Sequence, residues 1–382
     1  MEYFLNELQT TVRDLARGIA EEKVLPVRAE LDEKEEFPWA IVREIAASGL
    51  YGIAIPEEYG GIGGGSFELV LAAEQLARVC GGVAVTYAAN FLGSDILIDN
   101  GSPEQKARFL PDIASGEKLC AFAITEETAG SDAGAVKTTA TKTVDGYVIN
   151  GSKRFITNGG DAAIYTIIAR TEPGKSARGL SAFIVEKGTP GFSFGRKEKK
   201  MGIRTSSTRE LLFDDCLIPR ENLIGKEGMG FFYAMKLFEK SRPGIGAQAL
   251  GIAQGAFEAA YAHAKERVQF GEAVLSFQAI QHMLANMAMD IEAARALIYA
   301  SARTIDSGLQ KSGNMESSMS KVFASDMAMR VTTDAVQIMG GVGYMRDYPA
   351  EKFMRDAKIT QMYEGTNQIL RNIIANELKK RY

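Results

Sequence analysis

The chain has 382 residues, enough for two or three domains, and is 46% hydrophobic and 24% charged. Its net charge of −4, with no long run of one sign, excludes the concentrated basic face of a nucleic-acid binder. Two histidines, His263 and His282, and three scattered cysteines, Cys80, Cys120 and Cys216, argue against a metal centre, a Ser-His-Asp triad or a disulfide framework. Met1 to Arg13 mixes acids, bases and apolar residues, unlike a secretory or transit segment. No uncharged apolar stretch reaches 18 residues, so no membrane span is predicted and the expected location is cytoplasmic.

From Phe4 to about Phe109 apolar residues recur at helical spacing, as in Leu8, Val12, Leu15, Ala16 and Ile19. Two breaks interrupt them, Phe37-Pro38-Trp39 and the glycine-rich run from Pro56 to Gly65. The second has no Gly-Lys-Ser/Thr ending and no apolar strand before it, so it reads as a connecting loop rather than a phosphate loop. From Leu119 to Leu223 the period falls to two. Short runs such as Tyr165 to Arg170 and Ala182 to Val185 are bounded by Asp145-Gly146, Asn150-Gly151, Asn158-Gly159-Gly160 and Pro190-Gly191. That spacing predicts an antiparallel β-sandwich or barrel, and no Gly-x-Gly-x-x-Gly supports a dinucleotide-binding sheet. From Met229 onward helical spacing returns in long segments such as Ala247–Gln269 and Phe277–Ser307, which predict a C-terminal four-helix bundle. The expected fold is α+β, with an N-terminal α-helical bundle over 1–118, a middle β domain over 119–225 and the C-terminal bundle over 226–382.

Six local motifs stand in order along this frame. They are Ala123-Ile124-Thr125-Glu126 with Ala129-Gly130-Ser131-Asp132, Asn150 to Gly159, and Arg267 with Phe270-Gly271. Then come Gln337-Ile338-Met339-Gly340-Gly341, Arg355-Asp356-Ala357-Lys358, and Tyr363-Glu364-Gly365-Thr366-Asn367-Gln368-Ile369. Together they resemble the acyl-CoA dehydrogenase family over essentially the whole chain. The resemblance implies an FAD enzyme that converts an acyl-CoA thioester to the 2-enoyl-CoA. The α proton goes to a carboxylate and the β hydride to flavin N5; electrons then pass to an electron-transfer flavoprotein. It also implies a homotetramer.

Glu364 matches the family's base. By composition alone it would be an ordinary capping acid, and the motif around it is what assigns the role. Such a base needs apolar surroundings that raise its pKa toward neutrality. Relatives that carry the base on an earlier helix have it where this chain has Ser241. Carried over as flavin contacts are Phe122, Ile124, Thr125, Gly130, Ser131, Phe155 and Thr157. Arg267, Phe270, Gln337 and Gly341 match positions that reach FAD from a second subunit, and Thr366 and Gln368 match contacts just beyond the base. Ser131, Arg242, Tyr363, Gly365 and Ala88 are the expected substrate contacts. Arg242 would meet the anionic CoA near the pocket mouth, and Arg204 and Arg209 are further cationic candidates.

Ala84 and Ala88 suggest a roomy pocket floor, and Asp95 is expected to lie outside the pocket. The acyl group is left open among straight, branched, cyclic and dicarboxylic chains. Two other readings compete with a dehydrogenase: a flavin oxidase on the same scaffold, and a non-catalytic flavin- or acyl-CoA-binding protein.

Overall fold

A computed structural model describes residues 3–308 and 314–382. Asn6 starts the first helix, α1 (Glu7–Ile19), through a capping box with Gln9, so two otherwise unpaired backbone donors are satisfied. Its apolar stripe buries Val12 and Ala16. Helices α2 (Arg28–Lys34), α3 (Trp39–Ala47), α4 (Ser66–Val79), α5 (Gly81–Asn100) and α6 (Pro103–Ala114) complete the first block. The Pro56–Gly65 run is a loop leading into α4, as its composition predicts.

Helix α5 is long and apolar enough to cross a membrane, but most of it is buried inside the protein, so it is a core helix. The sequence rule passes over it because Asp95 and Asp99 interrupt its apolar run. It lies against the first strand at Gly93, where a Cβ would stand 2.6 Å from Cys120 Sγ and 2.7 Å from the Ala121 nitrogen. Only glycine permits that approach. Asn90 Oδ1 accepts from the Cys120 N–H at 2.6 Å, and Thr166 donates to the Gly93 carbonyl at 2.6 Å. Helix and sheet are thus pinned together where the site is built.

The middle block is one eight-stranded sheet: β1 (Cys120–Ala123), β2 (Thr139–Lys142), β3 (Gly146–Thr157), β4 (Ile164–Arg170), β5 (Leu180–Glu186), β6 (Phe192–Lys197), β7 (Thr208–Pro219) and β8 (Leu223–Ile224). Its order is β6-β7-β3-β2-β4-β5-β8, with β1 beside β4. Most pairs are antiparallel, as expected from the short turns, but β1 and β2 each pair with β4 in parallel. Local periodicity carries no information on strand direction, which is why the sequence pattern suggested an antiparallel arrangement throughout.

The last block consists of α7 (Gly230–Glu266), a small hairpin of β9 (Val268–Gln269) and β10 (Glu272–Ala273), α8 (Gln278–Asp306), α9 (Asn314–Met339), α10 (Ala350–Ile359) and α11 (Asn367–Arg381). Long helices α7, α8 and α9 pack along one another, and α7 also packs against α4 and α5, joining both helical blocks into one core.

Candidate active site

Two cavities share a wall that includes Glu364. The first is a cleft of about 130 Å³ between the sheet and α5, walled by Phe122, Ile124, Thr125, Phe155, Thr157, Phe238, Tyr363 and Glu364. The second is a pocket of about 290 Å³ running along α5 and α7, lined by Tyr87, Ala88, Phe91, Leu92, Asp95, Lys240, Ser241 and again Glu364. Ala88, Leu92 and Ile245 also border both.

The cleft's sheet wall is shaped by irregular backbone. The β3–β7 register slips between Lys153 and Ile156, and within that slip Phe155 takes a left-handed φ of 60°. A bulge of this kind re-aims a side chain, and Phe155 stands 57% exposed at the cleft. Beside it, where the Arg154 N–H donates to the Thr125 carbonyl at 2.8 Å, the Ile124–Glu126 segment is locked by a buried ion pair. Lys153 Nζ donates to Glu126 Oε1 at 2.7 Å and to the Ile124 carbonyl at 3.2 Å. Glu126 also accepts the backbone N–H groups of Lys137 and Thr138, which satisfies a buried carboxylate that could not otherwise stay charged.

Glu364 lies between α10 and α11 in a left-handed conformation, φ 50°, followed by Gly365 at φ 96°. Ser241 of α7 donates to Glu364 Oε2 at 2.5 Å. Burial pushes the Glu364 carboxyl above its ordinary range, while the Ser241 hydrogen bond and the charges of Arg242 and Lys321 pull it part of the way back. The neighbouring Tyr363 hydroxyl donates to Gln248 Oε1 of α7, and Gln248 Nε2 donates to the Gly81 carbonyl at 2.9 Å. A carboxylate held this way is suited to accept a proton near neutral pH.

Phe122, Ile124, Thr125, Phe155, Thr157 and Tyr363 therefore line the cleft, while Ala88 and Glu364 border both cavities, with Gly365 next in the chain. Thr366 caps α11 by accepting from the Ile369 N–H at 3.3 Å. Gly130 and Ser131 are exposed on the loop after β1, and Gln368 is exposed on α11. Arg267, Phe270, Gln337 and Gly341 are exposed and do not line the cleft. Phe270, at the tip of the β9–β10 hairpin, is 97% exposed.

Arg242 departs from expectation. It is 4% exposed, donates to Asn314 Oδ1 at 3.1 Å and Ser318 Oγ at 3.3 Å, and feels the Glu364 charge on one side while lining a separate cavity of about 240 Å³ with Asn314 and Lys380. Asp95 departs too. It lines the pocket instead of lying outside it, accepts from Lys240 at 3.2 Å, and is pushed up to about 6, chiefly by burial. Arg204 is paired with Glu35 at 3.1 Å and Asp32 at 3.8 Å, and Arg209 donates to the Gly195 carbonyl at 3.3 Å.

Sequence reasoning missed the partners that hold the base. Ser241 entered only as the position of an alternative base, and Lys321 did not enter at all. One signal was available: Lys321 interrupts the stripe Ser317, Ala324, Ala328, Val331 and Ala335, which α9 buries.

Comparison with known proteins agrees with this architecture. The description "Acyl-CoA dehydrogenase, N-terminal domain" matches residues 6–117, the middle-domain description 121–216 and the C-terminal-domain description 228–379. The chain is similar to the short-chain specific acyl-CoA dehydrogenase of Clostridium acetobutylicum, at 46% identity over 379 residues, covering 99% of this chain and 100% of that protein. It is similar to the structure of butyryl-CoA dehydrogenase from Megasphaera elsdenii, with TM-score 0.96 and 44% identity over 99% of this chain and 100% of that one. A chain solved in work on the electron transferring flavoprotein of Acidaminococcus fermentans gives TM-score 0.96 at 47% identity, covering 99% of each. The chain belongs to the acyl-CoA dehydrogenase family and is an oxidoreductase of that family.

Proposed function

We propose that the protein dehydrogenates a short- to medium-chain acyl-CoA thioester to the 2-enoyl-CoA, with Glu364 as base and FAD as cofactor. The observation that carries this reading is the Glu364 side chain shared by the two cavities, one fit for a flat ring system and one for an acyl chain. The cleft's apolar and aromatic walls at Phe122, Ile124 and Phe155, with the Thr125 and Thr157 hydroxyls among them, suit a planar ring with a polar edge. FAD, when bound, supplies the hydride acceptor.

The chain's own part is acid–base and positional. As an α C–H bond breaks, the proton passes to a Glu364 oxygen, its electron pair stays with the acyl group, and negative charge grows on the thioester oxygen. Donors aimed at that oxygen lower the barrier, and the Glu364 backbone N–H is the protein donor we assign. The largely apolar pocket excludes water from this transfer and limits the acyl chain to what about 290 Å³ admits. The likeness to the short-chain specific Clostridium enzyme and the Megasphaera butyryl-CoA dehydrogenase supports a short chain.

Delivery of electrons to an electron-transfer flavoprotein is supported by the Acidaminococcus likeness. We assign the bare Phe270 hairpin, with Arg267, Gln337 and Gly341, to contacts with FAD bound mainly by a second copy in a homotetramer. Ser131 is kept as a CoA contact at the surface. For Arg242 we favour a role beneath the base, because its guanidinium is buried and already bonded to Asn314 and Ser318.

The test is anaerobic mixing of the FAD-loaded protein with straight, branched, cyclic and dicarboxylic acyl-CoAs while the flavin's visible band is followed. Rapid bleaching with short straight chains is expected. A flavin that stays oxidised with every thioester would overturn the reading, and rapid oxygen consumption in air would favour an oxidase.

A further inference from the structure

A lysine with no exposed surface needs an account. Lys321 sits on the buried face of α9, and its Nζ donates to the Gly365 carbonyl at 2.8 Å and to Asn367 Oδ1 at 2.9 Å. Neither partner is a carboxylate. Asn367 is itself fixed, donating to Ser325 Oγ and Asp326 Oδ1, each at 2.8 Å. A buried ammonium is costly unless charge compensates it, so the question is which anion does so here.

The charged groups that face it are few. Asp326, on α9 itself, is taken by Arg371 of α11 at 2.5 Å. Arg242 comes from α7 and is a second buried cation, with Glu239 of α7 acting on it in turn. Glu364, in the segment between α10 and α11, is the carboxylate left to balance Lys321, and its charge is felt there. The two contacts of Nζ also bracket the base, since Gly365 follows Glu364 and Asn367 opens α11.

We propose that Lys321 is a positioning residue for the base: its ammonium pins the Gly365 carbonyl so that Glu364 holds its left-handed turn into the site, and its charge keeps the Glu364 carboxylate ionised to receive the α proton. This rests on Glu364 being the base. The charge balance fits the step. When the proton moves from carbon to the carboxylate, the negative charge passes to the thioester oxygen, so the total charge near the two buried cations does not change.

Burial pushes the Lys321 ammonium down to about 7, and the Glu364 charge opposes that fall. The sign of the pH effect follows. Below pH about 7 Lys321 is charged and lowers the pKa of Glu364; above about 8 it is neutral and only its hydrogen bonds remain.

The experiment is the pH profile of anaerobic flavin bleaching by saturating acyl-CoA, in FAD-loaded wild type, Lys321→Gln, Lys321→Met, Lys321→Arg and Glu364→Gln. Lys321→Gln keeps a donor for the Gly365 carbonyl and loses the charge. It is expected to be about tenfold slower below pH 7, its rising limb moved about one unit alkaline, and to merge with wild type above pH about 8. Lys321→Met loses charge and donor and is expected to be slower across the whole range. Lys321→Arg is expected to restore the acid limb. If Lys321→Met fails to fold, the glutamine and arginine variants decide the matter. A Lys321→Gln profile superimposable on wild type, with Glu364→Gln inactive, would overturn the role of Lys321 alone. Glu364→Gln turning over at the wild-type rate would instead overturn the base beneath it.

Discussion

Two fully buried lysines do opposite kinds of work in this fold. Lys153, in the sheet, is matched at 2.7 Å by Glu126, whose carboxylate is further satisfied by two backbone N–H groups. Lys321, in the helical bundle, meets a carbonyl and an amide, and the charge that chiefly opposes its loss of a proton is that of Glu364. Burial depresses both, Lys153 to about 8 and Lys321 to about 7. A closed pair can serve as scaffold, because nothing in it has to change during a reaction. An ammonium balanced by a carboxylate that must gain a proton is tied to the chemistry.

That contrast can be broken in several places, beginning with the largest effect. Glu364→Gln removes the anion that balances Lys321 and the proton acceptor together. It is expected to slow flavin bleaching by about 10²–10⁴-fold, read by anaerobic stopped-flow. Lys153→Met strands the Glu126 carboxylate and is expected to cost about 3–5 kcal/mol of stability in urea unfolding. Lys321→Met strands no carboxylate in direct contact but leaves the Gly365 carbonyl and Asn367 Oδ1 without their donor, so it is expected to cost less, about 1–3 kcal/mol. Equal losses from the two lysine variants would erase the distinction.

Next in size is Ser241→Ala. The Ser241 hydroxyl stabilises the ionised form of Glu364, so its loss raises the pKa of the base. The acid limb of the rate profile should move toward higher pH by about one to two units, the worth of one hydrogen bond to a charged group. An unmoved limb would mean that the bond adds nothing to the free enzyme. The smallest effect belongs to an exposed pair, Arg346 and Glu33 at 2.8 Å. Arg346→Ala is expected to change stability by less than about 1 kcal/mol, and a larger loss would show that surface pairs here are not solvent-screened.

The three-block order was legible because period and turn chemistry are local properties, and Glu364 could be singled out because its motif is contiguous. What lay between distant segments was not. Asp95 looked misplaced for a pocket because its partner Lys240 is 145 residues away. The burial of Arg242 was not legible either, because its partners Asn314 and Ser318 lie 72 and 76 residues on. The parallel pairing of β1 with β4 depends on how the chain crosses the sheet, which no window of neighbouring residues records. Lys321 was the intermediate case: a charge on a buried stripe is visible as an anomaly, but its partners Gly365 and Asn367 lie 44 and 46 residues on.

Helix α5 carries a consequence for how such an enzyme can diversify. Ala88 and Leu92 border both cavities, whereas Phe91, Ser94 and Ile98 border only the larger pocket, the one we assign to the acyl chain. A bulkier residue at 88 should shorten the accepted chain and weaken flavin retention at once, a penalty visible as apoenzyme after purification. The same change at 91 or 98 should alter chain length only. New substrate preferences are therefore most accessible through one edge of a single helix, while the adjoining edge is frozen by the cofactor it must also serve.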